Sequence, residues 1–226
     1  MGGLFSLDNP IMRFLNKATD CIILNILWII CCIPIITIGA STTAFYYSVT
    51  KVIRNDRGYA LAEFWHGFKT NFKQSTIVWL VMMVTGILAY VDVYYTYVMV
   101  KADILPLLFL YFLIGVFFLI FMWMLYWLPY IARFENTIKR MWKFSLVMSM
   151  QNVLWSIFNF IVFGLMVVVV LMIPMLIFFV PVICTVLLSI SLEHVFRKYM
   201  SEEDLHLEDL RNGNITDEYL ESDGGM

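Results

Sequence analysis

The chain has 226 residues, of which 62% are hydrophobic and 14% charged, with a formal net charge of −2 at neutral pH. An ordinary soluble domain carries about 25% charged residues, and a soluble fold of this length has nowhere to bury so much apolar surface. Composition therefore excludes a soluble globular domain, and no nucleic-acid partner is expected.

The first apolar run covers residues 18–36 and follows about 20 residues that include Arg13 and Lys17. A secretory signal peptide has a short basic segment, an apolar core and a small-residue cleavage site. Residues after Pro34 stay apolar, so cleavage is not expected. The chain then reads PIITIG and continues as ASTTAFYYSVT, an apolar stretch that ends in Lys51, Arg54 and Arg57. Lys and Arg collect on the cytoplasmic side of membrane proteins. Two arrangements compete.

In a five-span arrangement residues 18–38 cross once, and Arg13, Lys17 and Lys101 lie outside. In a six-span arrangement the chain turns at PIITIG and returns over 41–54, which leaves only Lys101 of the fifteen basic residues outside. The five-span alternative also leaves ASTTAFYYSVT in water. Six spans with both termini cytoplasmic are favoured. A helix over 41–53 is only about 20 Å long, against roughly 30 Å of hydrocarbon. The turn must then dip into the membrane, where irregular backbone needs cover from protein or water. Pro34 ends the first helix by removing a donor, Thr37 offers a hydroxyl to a free backbone group, and Gly39 allows a tight or left-handed turn.

Next comes an amphipathic stretch. Leu61, Phe64, Trp65, Phe68 and Phe72 recur at helical spacing, with Glu63, His66, Lys69 and Lys73 towards the other side. This pattern predicts a helix in the cytoplasmic membrane interface, aromatic side down, or one that contacts a partner. Asn71 lies in the same stretch. Long apolar runs follow at 75–98, 104–131, 153–173 and 175–196, the last two divided by Pro174. A second amphipathic stretch, 136–150, precedes the fifth run and faintly repeats the first. The expected fold is all-α: a polytopic helical membrane domain over 1–200, with spans near 18–36, 41–54, 75–98, 104–131, 153–173 and 175–196. Residues 201–226 hold nine acids and one Arg, a composition expected to give an acidic, flexible cytoplasmic tail.

The chemistry-bearing groups are sparse. Asp20, Asp92 and Glu193 fall near span ends, and mid-membrane polar groups are amides and hydroxyls such as Asn25, Asn159 and Ser189. Asn25 and Asn159 suit helix-to-helix hydrogen bonds. His66, His194 and His206 are scattered. Cys21, Cys31, Cys32 and Cys184 lie inside predicted spans, without ligand partners at metal spacing. No catalytic, cofactor or metal residues are expected, and an enzyme is the least favoured class.

The segment NILWIICCIPIITIGASTTAFYYSVTKVIRNDRGY, followed by FWHGFKTNFKQSTIVWL, resembles the YesL family of bacterial integral membrane proteins. The shared features are the Pro–x–x–Thr–x–Gly turn at Pro34, Thr37 and Gly39, and the stretch with Phe64, Phe68, Asn71, Phe72 and Gln74. NPIMRFLNKATD also fits, and Ala40 stands where the family often has proline. The resemblance implies a bacterial plasma-membrane protein, an accessory near carbohydrate uptake by binding-protein-dependent ABC transporters, with no chemistry of its own. Implied partners are the bilayer and transporter subunits, or a second copy of the chain. The contact helix would be Phe64, Trp65, Phe68, Lys69, Asn71, Phe72 and Lys73. The alternative is a transporter or channel for a small uncharged solute, lined by Asn25, Thr37 and Asn159.

Overall fold

A computed structural model describes residues 10–134, 137–200 and 205, with side chains from Leu15 onward. The described residues are helical, with no β-strand among them. Helix α1 runs Pro10–Cys32 and stops where Pro34 biases Ile33 away from helical backbone. A 3₁₀ turn, Ile35–Thr37, leads into α2, Ile38–Ser48, which widens into π-helical backbone over Val49–Arg54. At that junction the Ser48 and Thr50 hydroxyls donate to the Ala44 and Tyr46 carbonyls, at 2.8 and 2.9 Å. Such back-bonding competes with the helical ladder.

A tight turn follows, with Asp56 and Gly58 both at positive φ. Helix α3 then runs unbroken through Ala60–Lys101, 42 residues, or about 63 Å at 1.5 Å per residue. That is twice the roughly 30 Å of hydrocarbon, so only part of it crosses. The amphipathic stretch expected to be a separate interfacial helix is instead the first third of α3. It does not lie flat on its own, because no breaker separates it from the apolar run.

Helices α4, Leu107–Met124, and α5, Trp127–Arg133, replace the single expected span over 104–131. Pro129 has no N–H to give the Leu125 carbonyl, and the helix breaks at that carbonyl. Helix α6 covers Ile138–Gln151 and α7 Val153–Met172. Between them Asn152 leaves helical geometry (φ −120°, ψ 53°), and its amide donates to the Met148 carbonyl and the Tyr199 hydroxyl. The faint internal repeat is thus not a structural one: α3 passes through its boundary and α6–α7 breaks there. A 3₁₀ segment, Pro174–Phe178, precedes α8, Val180–Arg197, where a continuous span over 175–196 was expected. The acidic tail at 201–226 lies, except for residue 205, outside the described residues.

Among the described residues five helical stretches are long and apolar enough to cross a membrane: Leu15–Cys32, Ala60–Lys101, Leu107–Arg133 (α4 and α5 together), Val153–Met172 and Val180–Arg197. Helix α2 is not among them, yet it is the centre of the bundle. Gly39, Ala40, Ser41, Thr43, Ala44, Phe45, Tyr46 and Ser48 are all buried, and α2 packs on α1, α3 and α5. Ala40, Ala44 and Ser48 repeat every fourth residue with no exposed surface. Small residues at that spacing let helix backbones approach closely, which is how apolar helices gain contact without a hydrophobic drive between them.

Candidate functional site

The Pro34–Gly39 turn is built from its backbone carbonyls outward. The Thr37 hydroxyl reaches both the Cys31 carbonyl, at 2.7 Å, and the Pro34 carbonyl, at 2.8 Å. The Trp79 indole on α3 donates to the Ile35 carbonyl at 2.8 Å. The turn's carbonyls at Cys31, Pro34 and Ile35 are therefore covered by protein, as backbone at membrane depth requires. The aliphatic side chains of the turn face the other way. Ile33 is 74% exposed, Ile35 61% and Ile36 59%, so the turn hides its polar atoms and turns its aliphatic ones outward. Gly39 differs from expectation. It sits inside α2, and a Cβ there would lie 2.6 Å from the Ser75 carbonyl and overlap the Trp79 side chain. Its hydrogen is needed for the close approach of α2 to α3, not for a left-handed turn.

One end of the hairpin is tied by charges. Lys17 meets Asp56 at 2.8 Å and donates to the Ile53 carbonyl, while Lys51 meets Glu63 at 2.7 Å. The starts of α1's apolar run and of α3 are thereby held against the end of α2. Along α3 the expected contact face divides in two. Phe64 is fully buried among Leu24, Ala44, Phe45 and Val182, so it is a core residue and touches neither lipid nor partner. Phe68 is half-buried, its ring stacked on Phe64 and tilted against Phe72, and the Asn71 amide donates to the Gly67 carbonyl of its own helix. Leu61, Trp65, Lys69, Phe72 and Lys73 are exposed. Of these, Leu61, Trp65 and Phe72 fall at i, i+4 and i+11, on one side of the helix.

Residues 21–93 match the family model described as "Protein of unknown function, DUF624". This is the family to which the turn motif and the aromatic stretch are similar. No curated protein and no solved structure matches the chain. The DUF624 segment runs from the second half of α1 to Val93 in α3. It contains the covered turn, the α2 hub, both faces of the first third of α3, and Trp79, whose contact with the turn has no signal in the sequence. Trp79 is recognisable only with the fold in hand, because its partner lies 44 residues away.

Two residues outside the DUF624 segment, Arg133 and Glu193, join α5 and α8 beside Tyr46 and Arg54 within it. Arg133 and Glu193 form an ion pair at 3.2 Å, with side chains 20% and 5% exposed. Arg54, in the π-helical turn, donates to the Ser189 carbonyl at 3.3 Å. The buried Tyr46 of α2 lies in the field of Glu193, Arg133 and Arg54. Ionisable groups held this way are costly and commonly mark functional positions in membrane proteins. Glu193 stands out in the sequence as a carboxylate near a span end, but no local signal links it to Arg133.

The residues proposed to line a solute path are otherwise occupied or dispersed among different partners. Asn25 is fully buried, and its amide donates to the Phe178 carbonyl at 2.7 Å, so it caps the irregular link between α7 and α8. Thr37 serves the turn. Asn159 is buried on α7 beside the Tyr126–Ser156 hydroxyl pair. Among the described residues no group of three or more His, Cys, Asp or Glu is placed to hold a metal ion.

Proposed function

We propose that this chain is an accessory protein of a bacterial plasma membrane, crossing six times with both termini cytoplasmic. In this reading it supports carbohydrate uptake by docking on the membrane subunits of a binding-protein-dependent ABC transporter, and it catalyses no reaction. The family likeness supplies the association with sugar uptake. The observation that carries the docking role is the outer face of α3, where Leu61, Trp65 and Phe72 are 54%, 41% and 39% exposed beside Lys69 and Lys73. Apolar anchors at helical spacing with a basic rim are how an amphipathic helix enters a partner's groove.

The polar groups nearest the motif support a structural role for the rest of the DUF624 segment. Thr37 and Trp79 hold backbone carbonyls, and Gly39 and Ala44 hold helix spacing. Affinity purification of the tagged chain from its native host in mild detergent tests the reading, with recovered proteins identified by mass spectrometry. A sugar-transporter membrane subunit should co-purify. Trp65→Ala should lower its recovery by about tenfold or more, since an anchoring Trp contributes on the order of 2 kcal/mol. Recovery of no transport subunit, or recovery indifferent to both Trp65→Ala and Phe72→Ala, would overturn the proposal.

A further inference from the structure

Helices α4, α6 and α7 enclose a groove of about 330 Å³ lined by Leu119, Trp123, Leu146, Met150, Val153 and neighbouring residues. That is the lower end of the size range of ligand pockets, roughly 300–1,000 Å³. Leu119, Met150 and Val153 are 65%, 70% and 51% exposed, so the groove opens to the outside of the bundle, towards lipid. Its α6 wall has a particular register. Lys139, Lys143, Leu146 and Met150 follow at i, i+4, i+7 and i+11, which places all four on one stripe of the helix. Lys139, Arg140 and Lys143 are exposed. After Lys143 no Asp, Glu, Lys or Arg occurs until Glu193, so the stripe passes directly from cationic to apolar at one position.

We propose that this groove binds an anionic glycerophospholipid of the surrounding bilayer, with one acyl chain between α4, α6 and α7 and the phosphate at Lys139 and Lys143. The register sets the fit. Lys143 lies about 4.5 Å along the helix axis from Leu146 and about 10.5 Å from Met150. A lipid whose phosphate sits at Lys143 therefore passes its ester region by Leu146 and its chain by Met150 and Val153. A zwitterionic lipid meets the same apolar walls, but its ammonium group is repelled by the two lysines. The site is independent of the docking role proposed for α3, which lies on another helix.

Native mass spectrometry of the whole chain, exchanged into equal amounts of phosphatidylglycerol and phosphatidylcholine, tests this. Each basic residue near a membrane surface contributes about fivefold in anionic-lipid affinity, so with two lysines wild type should retain phosphatidylglycerol about twenty-five-fold over phosphatidylcholine. The double variant K139Q/K143Q should bring that ratio close to one. Leu146→Trp, which fills the groove and keeps the lysines, should lose both adducts, whereas Leu171→Trp, outside the groove, should lose neither. Equal retention of the two lipids by wild type would overturn the proposal, as would a ratio unchanged in K139Q/K143Q. Should the variants fail to fold, wild type with brominated lipids decides. Saturable quenching of tryptophan fluorescence at low mole fraction of brominated phosphatidylglycerol, and not of brominated phosphatidylcholine, supports the site. Equal quenching by the two overturns it.

Discussion

At Gly39 a single hydrogen sets how closely two helices pack. A methyl group there meets the Ser75 carbonyl and the Trp79 Cβ, both backbone-anchored, so neither can swing aside. Gly39→Ala should destabilise by about 1–3 kcal/mol, the usual cost of overpacking a filled interface. Gly86, on the same α3 helix, has nothing within 4 Å of an added Cβ. Gly86→Ala should be neutral or should stabilise by up to about 1 kcal/mol, because alanine is the better helix former. Thermal unfolding in detergent of the two variants side by side checks this, and equal shifts would remove the steric account. Thr37 is a second residue-scale case. Thr37→Val deletes the hydroxyl that covers the Cys31 carbonyl, with an expected loss of about 1–3 kcal/mol for that unsatisfied group, while the Pro34 carbonyl keeps the residue's own N–H. Thr37→Ser keeps the donor and should recover most of that loss.

Between elements, the Arg133–Glu193 pair ties α5 to α8 beneath the α2 hub. Removing one member leaves a poorly solvated charge, which typically costs about 3–5 kcal/mol. Arg133→Gln and Glu193→Gln should therefore each destabilise strongly. The double variant Arg133→Met with Glu193→Leu should be less harmful than the sum of Arg133→Met and Glu193→Leu made singly, since no charge is stranded. Strict additivity in a double-mutant cycle of thermal unfolding would show that the pair is not coupled. This pair also marks where sequence reading stops. The hairpin was legible because its signals are local: Pro34 stops a helix, and the basic residues after Thr50 require the chain to return. The exposed positions Trp65, Lys69 and Phe72 were legible from helical spacing. Spacing alone ranked Phe64 with them, because a periodic pattern places residues on one face without saying which neighbour covers part of that face; α1 and α2 cover Phe64. Pro129 breaks a helix inside an apolar run whose composition reads as continuous, whereas the break at Asn152 falls between the amphipathic stretch and the next apolar run. Arg133 and Glu193 are 60 positions apart, and no periodicity connects them.

For the molecule as a whole, the hairpin and the charge distribution converge on one arrangement. Lys17, Lys51, Asp56 and Glu63 meet at one end of α1, α2 and α3, while the aliphatic turn at Ile33, Ile35 and Ile36 projects at the other. If that charged end faces the cytoplasm, the Ala102–Pro106 link between α3 and α4 faces outward, and so does the link around Pro174. Asp56 and Asp103 both sit in exposed turns at positive φ, which makes them matched reporters on opposite sides. In a chain whose Cys21, Cys31, Cys32 and Cys184 are replaced by Ala, Asp103→Cys should react with a membrane-impermeant maleimide in intact cells. Asp56→Cys should react only after the membrane is permeabilised. The five-span alternative also keeps Asp56 inside, so the hairpin itself needs a third position, Asn16→Cys, at the exposed start of α1's apolar run. Protection of Asn16→Cys in intact cells supports the returning α2, because the chain must then cross and come back before Asp56. Labelling of Asn16→Cys from outside would show that α1 crosses once and that α2 lies on the cytoplasmic side of the turn. In that event the ion pair between Lys17 and Asp56, which holds both residues at one level, could not form in the membrane.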